Sequence, residues 1–136
     1  MLIKQNILIA GASMAPLVKA GGLADVMGSL PQALKKTGER VAVVIPYYKD
    51  ITLIRKPRFL LTYAVHFNGK RIPVTLWRHD AACPVFLLDG KPFFSEREIY
   101  PEGIDKKTGI PKELTRFLFF SFALSKLIKQ LAPKLS

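Results

Sequence analysis

Hydrophobic positions along this chain change rhythm three times, and each rhythm predicts a different kind of element. Asn6 to Gly11 (N-I-L-I-A-G) is a short continuous apolar run closed by glycine. Such a run predicts a strand buried on both faces, at the centre of a parallel sheet. Leu23, Val26, Leu30 and Leu34 then recur at helical spacing, predicting one apolar stripe on a helix that ends at Lys35, Lys36 and Gly38. Pro31 lies inside this helix and is expected to kink or divide it. Val41 to Ile45 is a second apolar, β-branched run stopped by Pro46. Strand, loop, helix and strand make a right-handed βαβ unit, whose first loop falls at the carboxyl end of a parallel strand, where open α/β sheets place ligands.

From Arg58 the period becomes two, with Phe59, Leu61, Tyr63, Val65 and Phe67 on one face, then Asn68-Gly69, then Ile72, Val74 and Leu76. Asn-Gly between alternating segments predicts a β-hairpin over about residues 58–78. Pro84 to Leu88 reads as a further short buried strand, putting Asp89 near the carboxyl edge of the sheet. Residues 89–112 form a long loop rich in glycine, proline and charge, of a length that compact domains reserve for function. Leu114, Phe117, Leu118, Ser121, Leu124, Ser125, Ile128 and Leu131 define a last amphipathic helix ending near Pro133. Phenylalanines at 117, 119, 120 and 122 surround it on more than one face, which predicts burial on two sides or a missing neighbour. The expected architecture is one α/β domain over residues 1–136, a mostly parallel sheet with an inserted hairpin.

Composition adds limits to this outline. With 49% hydrophobic and 23% charged residues the chain is ordinary globular material. No apolar run approaches the roughly 20 residues that cross a bilayer, and Met1 leads almost directly into the first strand, so a cytoplasmic protein without a membrane partner is expected. Cys83, the single cysteine, makes no internal disulfide and is expected to be a small buried hydrophobe. A net charge of +11 predicts attraction to something anionic. Its basic pairs (Lys35-Lys36, Arg55-Lys56, Lys70-Arg71, Lys106-Lys107) are spread over element ends with no aromatic-interleaved groove pattern, so no nucleic-acid partner is expected. Neither His66 nor His79 has a second metal ligand at strand or helix spacing.

The chemistry concentrates in Ala15 to Leu30 (A-P-L-V-K-A-G-G-L-A-D-V-M-G-S-L). Lys19, Gly21 and Gly22 follow a strand and precede a helix, so an ammonium and the first helical N–H groups face one space, an arrangement suited to phosphate. The spacing matches neither the dinucleotide nor the triphosphate glycine signature. Asp25, in the first helical turn, either complements the helix dipole or serves the site. Tyr100, in the long loop, is either a loop anchor or a ligand contact.

The run S-M-A-P-L-V-K-A-G-G-L-A-D-V-M-G-S-L-P-Q-A-L from Ser13 to Leu34 resembles the opening of bacterial glycogen synthases and plant starch synthases. V-V-I-P at 43–46, Asp50-Ile51, the strand into Asp89, Tyr100 and R-F-L-F-F-S at 116–121 agree in order. The resemblance implies the Rossmann-like N-terminal domain of a GT-B glycosyltransferase. Such an enzyme moves glucose from ADP-glucose or UDP-glucose to the non-reducing 4-hydroxyl of an α-1,4-glucan with retention. It further implies that Lys19, Gly21 and Gly22 approach the diphosphate and glucose of the donor, that Asp25 serves the glucose or acceptor site as the catalytic residue, and that Tyr100 borders the donor. No cofactor and no metal is expected, since an ammonium and helix-start N–H groups answer the charge on the departing nucleoside diphosphate. Two positions depart from the family pattern: Ser13 stands where a glutamate is usual, and Lys112-Glu113 where Asp-Asn is usual. The resemblance spans only about the first quarter to third of such an enzyme, so a missing or separately encoded C-terminal GT-B domain is the expected partner, and the chain alone is expected to be inactive. The alternative is a stand-alone α/β module that holds a glucan or nucleotide sugar without chemistry.

Overall fold

The structure is a computed structural model that describes residues 3–91, 93–94 and 98–131. Strand β1 (Asn6–Ala10) leads into helix α1 (Gly22–Lys36) and strand β2 (Arg40–Pro46); β3 (Arg58–Phe67), β4 (Lys70–Asp80) and β5 (Pro84–Asp89) follow, then helix α2 (Lys112–Leu131). The five strands form one sheet in the order β1-β2-β5-β4-β3. β1 and β5 flank β2 in parallel, whereas β4 runs antiparallel to both β5 and β3. The sheet is therefore mixed, with two parallel and two antiparallel pairings. The predicted hairpin is inserted in the chain between β2 and β5, and because β4 pairs with β5 it extends the same sheet.

Alternation along β2 and β5 explains why both read as continuous apolar runs. Val43, Ile45, Val85 and Leu87 point to one face, where Met14, Leu17 and Met27 pack. Val44 and Leu88 point to the other, where they join Phe119, Phe120, Ala123 and Leu127 of α2 and Tyr63, Val65, Phe67, Ile72, Val74 and Leu76 of the hairpin. Burial on both faces removes the polar half of the usual strand pattern. Cys83 is buried in the first of these cores, as expected, and burial pushes its thiol pKa up. The hairpin turns at Asn68 and Gly69, which both take positive φ (49° and 71°), the geometry that the Asn-Gly pair signalled.

Expectations about the place of β1 and about the buried faces of the helices and the hairpin are corrected. β1 is not central: it lies at the sheet edge with alternating partial exposure, and Leu8 is 38% exposed. Helix α1 runs unbroken through Pro31, and it buries Ala24, Met27 and Pro31, while Leu23, Val26 and Leu30 are exposed. Helix α2 likewise buries Thr115, Arg116, Phe119, Phe120, Ala123 and Leu127, leaving Leu114, Leu118 and Ile128 of the predicted stripe exposed, together with Phe122. Both helices carry apolar residues around more than half of their circumference, and a periodicity count alone does not choose between two such faces. A bulge between Phe59 and Leu61 also breaks the predicted hairpin face, leaving Phe59 exposed against the Trp77 ring.

Candidate functional site

At the carboxyl end of β1 the chain turns sharply to reach α1. Met14 and Val18 close a small loop on each other through two backbone hydrogen bonds, with a cis Ala15-Pro16 bond between them, and the Ala15 N–H donates to the Ala24 carbonyl. Met14 and Leu17 anchor this loop in the core. A Cβ on Gly28 would stand 2.6 Å from the Ala15 carbonyl oxygen, so only glycine lets α1 pass this close to the loop. Gly21 caps the helix at φ 76°, ψ −174°, a conformation that side-chain-bearing residues rarely adopt.

Gly21, at the N-cap, has no side chain with which to cap α1, and no side-chain cap is made there among the described residues. The first N–H groups of the helix thus lack the hydroxyl or carboxylate that ordinarily satisfies them, and they carry the positive end of the helix dipole. Asp25, in that first turn, accepts an ion pair from Lys19, Nζ to Oδ1 at 3.0 Å, with both side chains more than half exposed. Lys19 and Asp25 are thereby held beside Gly21 and Gly22 at the start of α1. Ser13, just upstream, is fully buried, and its hydroxyl has no hydrogen-bond partner among the described residues.

A second group of residues gathers at the carboxyl ends of β2 and β5, which the sheet order makes neighbours. Tyr47, Tyr48, Lys49, Asp89, Lys91 and Phe94 line an open cavity of about 320 Å³. The Tyr48 hydroxyl donates to the Ala12 carbonyl at 2.6 Å, tying this cavity wall to the β1–α1 connection. Burial raises the pKa of Tyr48, with the nearby Arg116 charge opposing and Tyr100 adding to the rise. Burial also raises Asp89, against a weaker opposing pull from Lys91. Tyr47 is raised by burial and then by the Asp89 charge.

Arg116 organises the long loop from below. Buried in α2, its guanidinium donates to the carbonyls of Phe93, Glu98 and Ile99, at 2.8 and 2.9 Å for the first and last, and sits 5.8 Å from the centre of the Tyr48 ring. Tyr100 rests against Phe117 with ring centres 5.7 Å apart and remains 39% exposed. Its phenol lies near enough to Tyr48 to add to the rise of that group's pKa, and the Tyr48 hydroxyl in turn donates to the Ala12 carbonyl. Of the two histidines, His66 is exposed on β3, and His79 is buried on β4 with Nε2 unpartnered among the described residues. No group of three or more metal-ligating side chains occurs among the described residues.

The cavity residues escaped the sequence reading apart from Asp89. P-Y-Y-K at 46–49 and D-G-K at 89–91 each follow a buried strand, and that shared position was the available signal. It becomes legible only once β2 and β5 are known to be adjacent.

An α/β sheet flanked by helices, with its loops gathered at the carboxyl ends of parallel strands, is the architecture of the N-terminal domain of GT-B glycosyltransferases. Residues 6–135 match the family profile of the starch synthase catalytic domain, and the chain belongs to that family. It is 34% identical over 132 residues to a glycogen synthase of Geotalea daltonii, covering 93% of this chain and 26% of the relative. A glycogen synthase of Moorella thermoacetica is 33% identical over 123 residues, covering 88% of this chain and 23% of the relative. Among solved structures, the catalytic domain of starch synthase IV from Arabidopsis thaliana bound to ADP and acarbose superposes with a TM-score of 0.81 at 25% identity, over 96% of this chain and 26% of that one. The chain thus spans about a quarter of the length of the proteins it matches.

Proposed function

We propose that this chain forms one wall of a glucosyltransferase site: the acceptor-side portion of a glycogen or starch synthase that moves glucose from ADP-glucose or UDP-glucose to the non-reducing 4-hydroxyl of an α-1,4-glucan with retention. One observation carries this reading. The start of α1 leaves its backbone donors without a side-chain cap, and Lys19 is held at 3.0 Å from Asp25 beside them. Anionic oxygens suit such a place, because the N–H groups point outward and the ammonium adds a full charge.

In this mechanism Lys19 and the N–H groups of Gly21 and Gly22 face the donor's diphosphate and stabilise the charge that develops as the glycosidic C–O bond breaks. Asp25 positions the Lys19 ammonium through the ion pair and borders the glucose. Tyr100 borders the donor from the long loop, on the same side as Tyr48, whose pKa it helps to raise. The cavity of Tyr47, Tyr48, Lys49, Asp89, Lys91 and Phe94 offers aromatic faces beside charged donors and an acceptor, a combination suited to a glucosyl unit. Binding of ADP and acarbose by the Arabidopsis starch synthase IV domain is consistent with both ligand classes.

The remaining nucleotide contacts belong, on this reading, to a C-terminal GT-B domain outside these 136 residues, and the 136-residue chain by itself is inactive. The wall acts in the cytoplasm; no helix among the described residues is long and apolar enough to cross a membrane. Calorimetric titration with ADP, ADP-glucose and maltooligosaccharide tests the proposal. Weak binding that strengthens when the rest of the family polypeptide is supplied, together with appearance of glucosyl transfer, is the expected result. Tight binding of one ligand by the chain alone, with no transfer in the complemented protein, would instead establish a stand-alone binding module.

A further inference from the structure

Between β1 and α1 the chain runs outside the named strands and helices, yet it holds Lys19 at one place beside the start of the helix. Local ties account for part of that order, since Met14 and Val18 bond each other and the Ala15 N–H reaches the Ala24 carbonyl. Two further ties come from elsewhere. The Tyr48 hydroxyl donates to the Ala12 carbonyl at 2.6 Å, and the Thr52 N–H donates to the Leu17 carbonyl at 2.9 Å. Tyr48 and Thr52 both belong to the connection between β2 and β3, residues 47–57. One irregular segment therefore grips another at two points.

The gripping segment is itself fixed. The Tyr47 N–H donates to the Leu88 carbonyl of β5 at 2.8 Å, and Ile51 and Leu53 pack in the core that holds Met14 and Leu17. Tyr48 is fully buried, its ring edge-on to Phe94 at 6.3 Å and 5.8 Å from the Arg116 guanidinium. Burial keeps its phenol neutral and so able to donate, and a hydrogen bond in such a dry place is stronger than one in water. A second buried tyrosine shows the same bond in a purely architectural setting. The Tyr63 hydroxyl donates to the Ala123 carbonyl at 2.7 Å, joining β3 to α2 and touching no part of the β1–α1 connection.

We infer that Tyr48 is a positioning residue for the donor site: its hydroxyl, with the Thr52 N–H, fixes the β1–α1 connection so that Lys19 and the first N–H groups of α1 present one geometry to a nucleoside diphosphate. The inference rests on the reading of that helix start as the diphosphate site. A segment ordered before the ligand arrives removes an ordering cost from binding. The role belongs to the hydroxyl and not to the ring. Phenylalanine at position 48 keeps the aromatic wall of the cavity and its contacts with Phe94 and Arg116, and deletes only the bond to Ala12.

The test compares Tyr48→Phe with Tyr63→Phe in the 136-residue chain, by titration with ADP and by amide hydrogen exchange. Each variant loses one buried hydroxyl-to-carbonyl bond, so their denaturation midpoints should fall by comparable amounts. Only Tyr48→Phe should loosen the connection, with the Met14, Ala15 and Val18 amides exchanging about fivefold faster than in the parent. Its affinity for ADP should fall about fivefold, while Tyr63→Phe stays within about twofold of the parent in both measurements. Unchanged ADP affinity in Tyr48→Phe overturns the inference and leaves the diphosphate reading standing. An equal fall in both variants also overturns it, assigning the effect to general stability. A parent chain that does not bind ADP removes the diphosphate reading itself, and the inference with it.

Discussion

Lys19 Nζ and Asp25 Oδ1 lie 3.0 Å apart across the Gly21-Gly22 start of α1, with both side chains more than half exposed to solvent. An exposed pair of this kind adds at most about 1 kcal/mol to stability, so its contribution to folding is small and its placement at an uncapped helix start is the more telling property. Lys19→Ala should change the free energy of unfolding by less than about 1 kcal/mol in urea denaturation. In the protein complemented with the rest of the family polypeptide, the same change should lower kcat for glucosyl transfer by about a hundredfold. A large stability loss with unchanged kcat would return the pair to a structural role.

Gly28 holds the loop where it is. Because a Cβ there meets the backbone oxygen of Ala15 at 2.6 Å, Gly28→Ala has no flexible side chain to push aside and must displace the segment that leads to Lys19. We expect a loss of about 1–3 kcal/mol. Gly22→Ala provides the comparison, since open space surrounds that position. It should leave stability within about 0.5 kcal/mol of the parent, measured in parallel thermal melts.

Arg116 is buried and bonded to three loop carbonyls. Arg116→Met keeps an apolar stem in place but strands those acceptors, at an expected cost of about 2–4 kcal/mol. Hydrogen exchange should show the loss reaching residues 98–100 as well as α2, because the Glu98 and Ile99 carbonyls both accept from this guanidinium. Exchange confined to the helix would count against Arg116 as the organiser of the loop.

Asp89 supplies a pH signature. Burial raises its pKa in the folded chain, so folding favours the protonated carboxyl. The resulting stabilisation is complete below the unfolded value of about 3.9 and is lost as pH rises through the folded value. Charged Asp89 therefore opposes folding at neutral pH. Asp89→Asn should be more stable than the parent at pH 7, and the difference should shrink as pH falls toward about 4. Denaturation midpoints of both proteins between these limits read the effect directly, and a difference independent of pH would remove Asp89 as its source.

Strands whose neighbours lie within the chain were legible from the sequence. β2 and β5 announced burial on both faces through unbroken apolar runs, and Asn68-Gly69 announced the hairpin, because those signals are local or set by one sheet. The proximity of Lys19, Gly21, Gly22 and Asp25 was legible for the same reason, since all four fall within seven consecutive residues at a strand-to-helix turn. The inward faces of α1 and α2 were not, since Leu23, Val26 and Leu30 in one helix and Leu114, Leu118 and Ile128 in the other satisfy helical spacing as well as the residues that are buried. The cavity of Tyr47, Tyr48 and Lys91 was hidden more deeply. Its walls lie some forty positions apart in sequence and meet only because β5 inserts between β2 and β4.

That insertion also sets an order of assembly. The β3–β4 hairpin closes through a two-residue turn and can form on the microsecond scale as soon as residue 80 has been made. β2, already paired with β1, waits for its second neighbour, which begins at Pro84 across a connection of nearly forty residues, and its edge toward the hairpin stays open until then. Loop closure of that length slows folding. Chain emerging from a ribosome therefore presents a hairpin and a βαβ unit that are not yet joined, and β5 is the strand whose arrival joins them.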